Sequence, residues 1–221
     1  MSDGMDNGMD AGTLADSWRG LRQRLLARGL MPGDADSLSL RDPASGQMGW
    51  GTATDASMRS SPLAPAEGLV AGAPALHRTV YAARPDVCAV LVGGGPFCRQ
   101  IAAFGGWMPA VFDEQIRQLG HMAHPTDHLS QLPAALADGG NVALHAGQVL
   151  LLGMTPSRLA LNAELFEKCA KAWVTATAAG AKVRPLPWLV RHVANGRLMK
   201  EEARAREQVR QGKTPMETRG Y

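Results

Sequence analysis

The sequence predicts a single α/β domain, and three observations carry that expectation. Apolar runs of strand length alternate with segments of helical periodicity along most of the chain. Residues 76–100, LHRTVYAARPDVCAVLVGGGPFCRQ, read as a helix, a turn, a buried strand and a glycine-rich loop in direct succession. The segment VLLLGMTPSRLALNAELFEKCAKA reads as a strand that feeds straight into a long helix.

The elements follow in order. Residues 1–12 are polar, glycine-rich and aperiodic, and are expected to be a disordered tail. Thr13 or Asp16 is placed to cap a first helix, in which Leu14, Trp18, Leu21 and Leu25 recur at helical spacing. Gly29 is placed to end it. Residues 37–41 alternate in polarity and read as a strand, Asp42-Pro43 as a turn, and residues 48–52 as a returning strand. Residues 53–73 read as a long connection or an unresolved weak strand pair. The helix that follows ends near Ala82 or Ala83, because Pro85 disfavours helical geometry at Arg84. Residues 87–92 form a valine-rich strand stopped by Gly93, Gly94, Gly95 and Pro96. Residues 99–104 and 112–119 have helical character, and residues 141–144 and 148–152 are β-prone. Thr155 and Pro156 open a helix that runs to about Ala179, ended by Gly180. Residues 185–210 hold a charged helical pattern, and residues 211–221 read as a tail. The expected organisation is therefore a tail (1–12), a core domain (13–184) and a basic C-terminal helix with its tail (185–221).

Composition narrows the function classes. The 221 residues are enough for one sizeable core, and a hydrophobic fraction of 45% is ordinary for a globular protein. The net charge is only +3 and aromatics make up 5%, which disfavours a nucleic-acid-binding face. No apolar run approaches the roughly 20 residues needed to span a bilayer. The N-terminus shows no basic region followed by an apolar segment, so no signal peptide is expected. The three cysteines, Cys88, Cys98 and Cys169, match neither a disulfide framework nor a zinc knuckle. A reducing, cytoplasmic location is the expectation.

The run YAARPDVCAVLV, followed by a loop ending in Pro96, resembles the class II aldolase/adducin family. His77, four residues ahead of Tyr81, matches the family pattern as well. The segments LARGL…SLSLRDP and VLLLGMTPSRLALNAELFEKCAKA are similar to other family segments in the same order, so the likeness covers most of the chain. The resemblance implies a three-layer α/β/α fold with a mostly antiparallel central sheet, and a homotetramer. In active members it implies a divalent metal held by three histidines and a glutamate base, acting on carbon–carbon bonds of sugar phosphates or in epimerase or decarboxylase reactions. Carried over residue by residue, the first two histidine positions fall on Val92 and Gly94, and the third falls on Gly147, or on Ala146 with one inserted residue. The glutamate position falls on Ala73. The glycine and asparagine of the phosphate loop fall on Asp36 and Ser37. The expectation is thus a protein with the family scaffold in an oligomeric or binding role, for a small molecule or a protein partner, and with no cofactor. The alternative is a metal-dependent aldolase, epimerase or decarboxylase using zinc, iron or manganese in a shifted site.

The residues that could build such a site are few. His121, His124 and His128 read as surface or cap histidines; the alternative is a metal site using two of them with His145. GGGP reads as a tight strand-to-helix turn, or as an anion nest of backbone N–H groups. Cys98 would be a nucleophile only if Arg99 lowered its thiol. Glu114, beside Asp113, reads as part of a solvated helix face. The expected binding residues are His145, Cys98, Arg99, Glu114 and Tyr81.

Overall fold

The computed structural model describes residues 11–64 and 73–217. Within them six strands form one sheet: β1 (Ser37–Asp42), β2 (Gln47–Thr52), β3 (Arg59–Pro62), β4 (Ala89–Val92), β5 (Val142–His145) and β6 (Gln148–Gly153). Their order is β3-β2-β1-β4-β6-β5, and every neighbouring pair is antiparallel. The helices are α1 (Ala11–Ala27), α2 (Ala73–Ala83), α3 (Pro96–Gln100), α4 (Asp113–Leu119), α5 (Leu132–Ala135), α6 (Pro156–Ala178) and α7 (Trp188–Arg210). Two short 3₁₀ turns, Ile101–Phe104 and Leu129–Gln131, precede α4 and α5.

The period of two along each strand sorts side chains into two cores. Leu38, Leu40, Ala89, Leu91, Val142, Leu144, Val149 and Leu151 join α1, α3 and α6 on one face. Val90, Val92, Ala143, Leu150 and Leu152 join α2 and α5 on the other. The result is the three-layer α/β/α arrangement with an antiparallel sheet. Ser37 and Ser39 share the α2 face, which therefore carries a polar stripe along β1.

Several boundaries differ from the sequence reading. Helix α1 already begins at Ala11, so Thr13 and Asp16 lie inside it rather than capping it. Residues 1–10 of the expected tail lie outside the described residues. The connection after β2 contains β3, a four-residue edge strand of sequence RSSP held by backbone pairing to β2; residues 65–72 lie outside the described residues. Residues 87 and 88 precede β4, and residues 96–104 are helical in two pieces. Thr155 caps α6 as expected, accepting from the Arg158 N–H at 3.0 Å.

The C-terminal segment is built into the body. Leu198, Glu202, Ala205 and Val209 repeat at helical spacing on α7 and are buried. Beyond α7 the chain folds back: the Met216 N–H donates to Gln208 at 3.2 Å, and Glu217 reaches Thr155 and Arg158.

The Arg-Pro-Asp turn between α2 and β4 explains how α7 is held. Arg84 is 2% exposed and donates to both oxygens of Asp86, at 3.0 and 2.7 Å. It also donates to Gly140 O at 2.7 Å, Asn141 Oδ1 at 3.1 Å and Glu202 Oε1 at 2.9 Å. One guanidinium thus joins the end of α2, the start of β5 and α7.

Candidate functional site

A cleft of about 470 Å³ opens at one end of the sheet. Ser37 and Gln148 are the first residues of β1 and β6, and Val92 and His145 are the last of β4 and β5. Antiparallel pairing brings these four termini to the same end, with Ser37 opposite Val92 and His145 opposite Gln148. Helix α2 closes the cleft with Ala73, Ala75 and Leu76, and Leu129 adds a further apolar wall. The polar side chains among the lining residues are Ser37, His145 and Gln148. Of the positions carried over from the family pattern, Ser37, Ala73 and Val92 line this cleft, as does Ala146.

His145 is held at the mouth of the β5–β6 turn. Its Nδ1 lies 2.9 Å from Thr126 Oγ1, whose hydroxyl donates to Leu144 O at 3.5 Å. Desolvation lowers the imidazole below its ordinary value, and the Asp127 carboxylate nearby partly offsets this. The shift favours the neutral ring. The turn itself places Ala146 at φ 46° and Gly147 at φ 74°, both left-handed.

Beneath the cleft floor runs a buried polar chain. Ser37 Oγ lies 2.9 Å from His77 Nε2, Ser39 Oγ lies 2.8 Å from His77 Nδ1, and Tyr81 Oη lies 2.8 Å from Ser39 Oγ. His77 is fully buried, and desolvation pushes it down to about 3, so it is neutral across the physiological range. Tyr81 is buried between α2 and β1 and reaches the cleft only through this chain.

The glycine turn already holds an anion from within the protein. Glu167 of α6 accepts from the Phe97 N–H at 3.0 Å and from the Cys98 N–H at 2.9 Å. A Cβ on Gly95 would lie 2.5 Å from Glu167 Oε2, so glycine is required for this approach. GGGP is the tight strand-to-helix turn expected of it, from β4 into α3, and the N–H groups just after it bind Glu167. Gly94 is similarly enclosed, since a Cβ there would lie 2.9 Å from Cys98 Cβ.

The thiolate reading of Cys98 is corrected. Burial pushes its thiol well above the ordinary range, and Glu167 adds to that shift. Arg99 donates to Gly94 O at 2.9 Å and pairs with Asp36, whose carboxylate also accepts from the Gly33 N–H at 2.9 Å. All three cysteines are buried, and Cys88 and Cys169 are each raised to about 12 by burial. Ellman's reagent at pH 8 is expected to leave the folded protein unmodified and to react with every cysteine once urea unfolds it. Rapid native labelling of even one thiol would contradict this.

The other candidates disperse. Glu114 pairs with Lys168 at 3.2 Å on the exposed α4–α6 surface. His124 is exposed and stacks on Trp107, ring centroids 6.3 Å apart. His121 is exposed, and His128 opens the 3₁₀ turn before α5 in a capping box with Gln131. Among the described residues no three His, Cys, Asp or Glu side chains come together in a way that could hold a metal ion. Among them also, no helix is long and apolar enough to cross a membrane. Sequence reasoning missed Glu167, Thr126 and Gln148; none sits in a recognisable motif, and each reaches its place through a distant pairing.

Comparison with solved structures places the fold. L-fuculose 1-phosphate aldolase superposes with a TM-score of 0.71 at 17% identity, over 89% of this chain and 100% of that one. YgbL from Klebsiella pneumoniae, a candidate aldolase/epimerase/decarboxylase, gives 0.70 at 20% identity, over 85% and 100%. An aldolase II superfamily protein from Pseudomonas syringae gives 0.63 at 14% identity, over 91% and 94%. No protein-family model matches the sequence, and no curated protein matches it. The chain has the class II aldolase fold.

Proposed function

We propose that this protein uses the class II aldolase scaffold to bind a small molecule in the sheet-end cleft, without the metal-dependent carbon–carbon chemistry that the family resemblance implies. The observation that carries this reading is the lining. Where the family pattern asks for two metal ligands and a base, this chain has Val92, Gly94 and Ala73, and none of these side chains can bind a metal or move a proton. Gly147 and Ala146 are equally unsuited at the third ligand position. The residues therefore do not fit a catalytic zinc site, which needs three protein ligands, and among the described lining residues His145 is the one imidazole. The protein is read as a cytoplasmic homo-oligomer; sedimentation velocity tests the assembly.

Metal analysis of the purified protein tests the function directly. Zinc, iron and manganese are each expected well below one per chain, with no turnover of fuculose 1-phosphate. A stoichiometric metal that is lost in His145→Ala or His124→Ala would overturn the proposal in favour of a lyase with a shifted histidine site.

A further inference from the structure

The buried polar chain sets the direction in which the cleft offers its hydrogen bonds. Tyr81 is 4% exposed, and its only hydrogen-bond partner among the described residues is Ser39. Either direction of the chain leaves one O–H at an end without a protein acceptor, which costs about 1–3 kcal/mol where nothing else can accept; Ser37 lines the cleft, where an occupant can accept, and Tyr81 does not, so the Tyr81 O–H donates to Ser39 Oγ. The Ser39 O–H then donates to His77 Nδ1. The neutral ring carries its one proton on Nε2 and donates it to Ser37 Oγ. The Ser37 O–H is left over. Ser37 is 1% exposed and lines the cleft, and His77 is its only partner among the described residues. Its proton is thus directed to whatever occupies the cleft.

His145 has the opposite polarity. The Thr126 hydroxyl reaches Leu144 O at 3.5 Å; with its proton there, Thr126 Oγ1 accepts from the His145 Nδ1–H, and Nε2 keeps its lone pair. The cleft then offers one fixed donor, at Ser37, and one fixed acceptor, at His145; Gln148 adds an exposed amide that can turn either way, and the other described lining residues are apolar.

We infer that the cleft takes a small uncharged molecule with an apolar body, a carbonyl oxygen that accepts from Ser37, and a hydroxyl or N–H group that donates to His145 Nε2. Tyr81, Ser39 and His77 act as positioning residues that fix the Ser37 proton. The inference rests on the binding role proposed above. A phosphorylated ligand is disfavoured: no cationic side chain is among the described lining residues, and Arg99 nearby is paired with Asp36.

Two measurements on the full chain test this. Long-range ¹H–¹⁵N spectra of the histidine rings read the tautomers: His77 is expected as the Nε2–H form and His145 as the Nδ1–H form. The opposite tautomer at either residue overturns the inference. Titration with α-hydroxyacetophenone, which carries both groups on an apolar ring, is expected to show binding roughly five- to tenfold tighter than with acetophenone. His145→Ala should erase that ratio, and Ser37→Ala should weaken both ketones severalfold. Tyr81→Phe should mix the His77 tautomers and weaken both ketones, although Tyr81 meets no ligand; its melting curve confirms that the variant is folded. No binding up to about 10 mM, or ketone affinity unchanged in Ser37→Ala, counts against the inference. Metal content is read separately, so a metal-free protein with the wrong tautomers sinks this inference alone, and a metal-loaded, active protein sinks the proposed function.

Discussion

Replacing Arg84 with methionine is expected to remove about 3–5 kcal/mol of stability, read as a drop in the unfolding free energy in urea. The figure follows from what the substitution leaves behind. Asp86 is 1% exposed and Glu202 2% exposed, and both pair with this guanidinium. Asp86's other cation, Arg206, stands farther off at 3.8 Å and is half exposed. Gly140 O and Asn141 Oδ1 would also lose a donor. Removing one member of a buried ion cluster strands charge where water cannot reach it, which is worse than never having built the cluster. The double variant Arg84→Met/Glu202→Gln should recover part of the loss, because one stranded carboxylate is gone. A loss below about 1 kcal/mol for Arg84→Met would mean that the cluster merely breaks even against its desolvation.

The same cluster shows how far the sequence can be read. RPDV was legible as the end of a helix and the start of a strand, because the effect of Pro85 on Arg84 and a run of valines are local signals. Its purpose was not legible. Glu202 lies 118 residues from Arg84, and nothing in the charged pattern of α7 marks it as the buried one of its glutamates. The C-terminal helix therefore looked like a basic appendage, although its apolar face and Glu202 bind it into the body. Glu167 repeats the case: it meets the Phe97 and Cys98 N–H groups across 70 and 69 residues, so the glycine turn looked empty from sequence. The short strand β3 lies within the weak strand pair read at 53–73 and could not be placed, because RSSP carries no alternation; only its backbone pairing with β2 makes it a strand.

The site was partly legible. Strand termini gather at one end of an antiparallel sheet, so Val92 and His145 could be expected near one another once the order of elements was right. The alternation in SLSL put Ser37 and Ser39 on one face. Neither the chain through Tyr81 nor the role of Thr126 could be seen, since both depend on side chains meeting across separate elements. The histidines at 121, 124 and 128 were read as surface or cap residues, and that is where they stand: His121 and His124 are exposed, and His128 opens the 3₁₀ turn before α5. Close spacing in sequence brought no convergence, because Pro125 and the surrounding loop direct the three rings to different neighbours.

Glu202 gives the second large effect, and its sign depends on pH. Burial raises this carboxyl from its ordinary value of 4.5 to about 7, with Arg84 pulling in the other direction. Its Oε2 is buried and has no partner among the described residues, so one half of the carboxylate is desolvated without return. A carboxyl whose folded value lies above its unfolded one binds its proton more tightly in the folded state. Its contribution is fully present below about 4.5 and is lost as pH rises through about 7. The wild-type protein is therefore expected to lose about 2–3 kcal/mol between pH 5 and pH 8 from this group. Glu202→Gln, which keeps the shape and cannot ionise, should lose none of it and should exceed the wild type in stability at pH 8. The two should converge near pH 5. Arg84→Met should sharpen the dependence, because Glu202 then loses the cation that opposes the effect of burial, and the variant regains stability in acid. Urea unfolding of the three proteins at pH 5, 6.5 and 8 reads all of this at once. A wild type whose stability is flat across that range, with Glu202→Gln weaker throughout, would show that the attraction of Arg84 outweighs burial and keeps Glu202 charged.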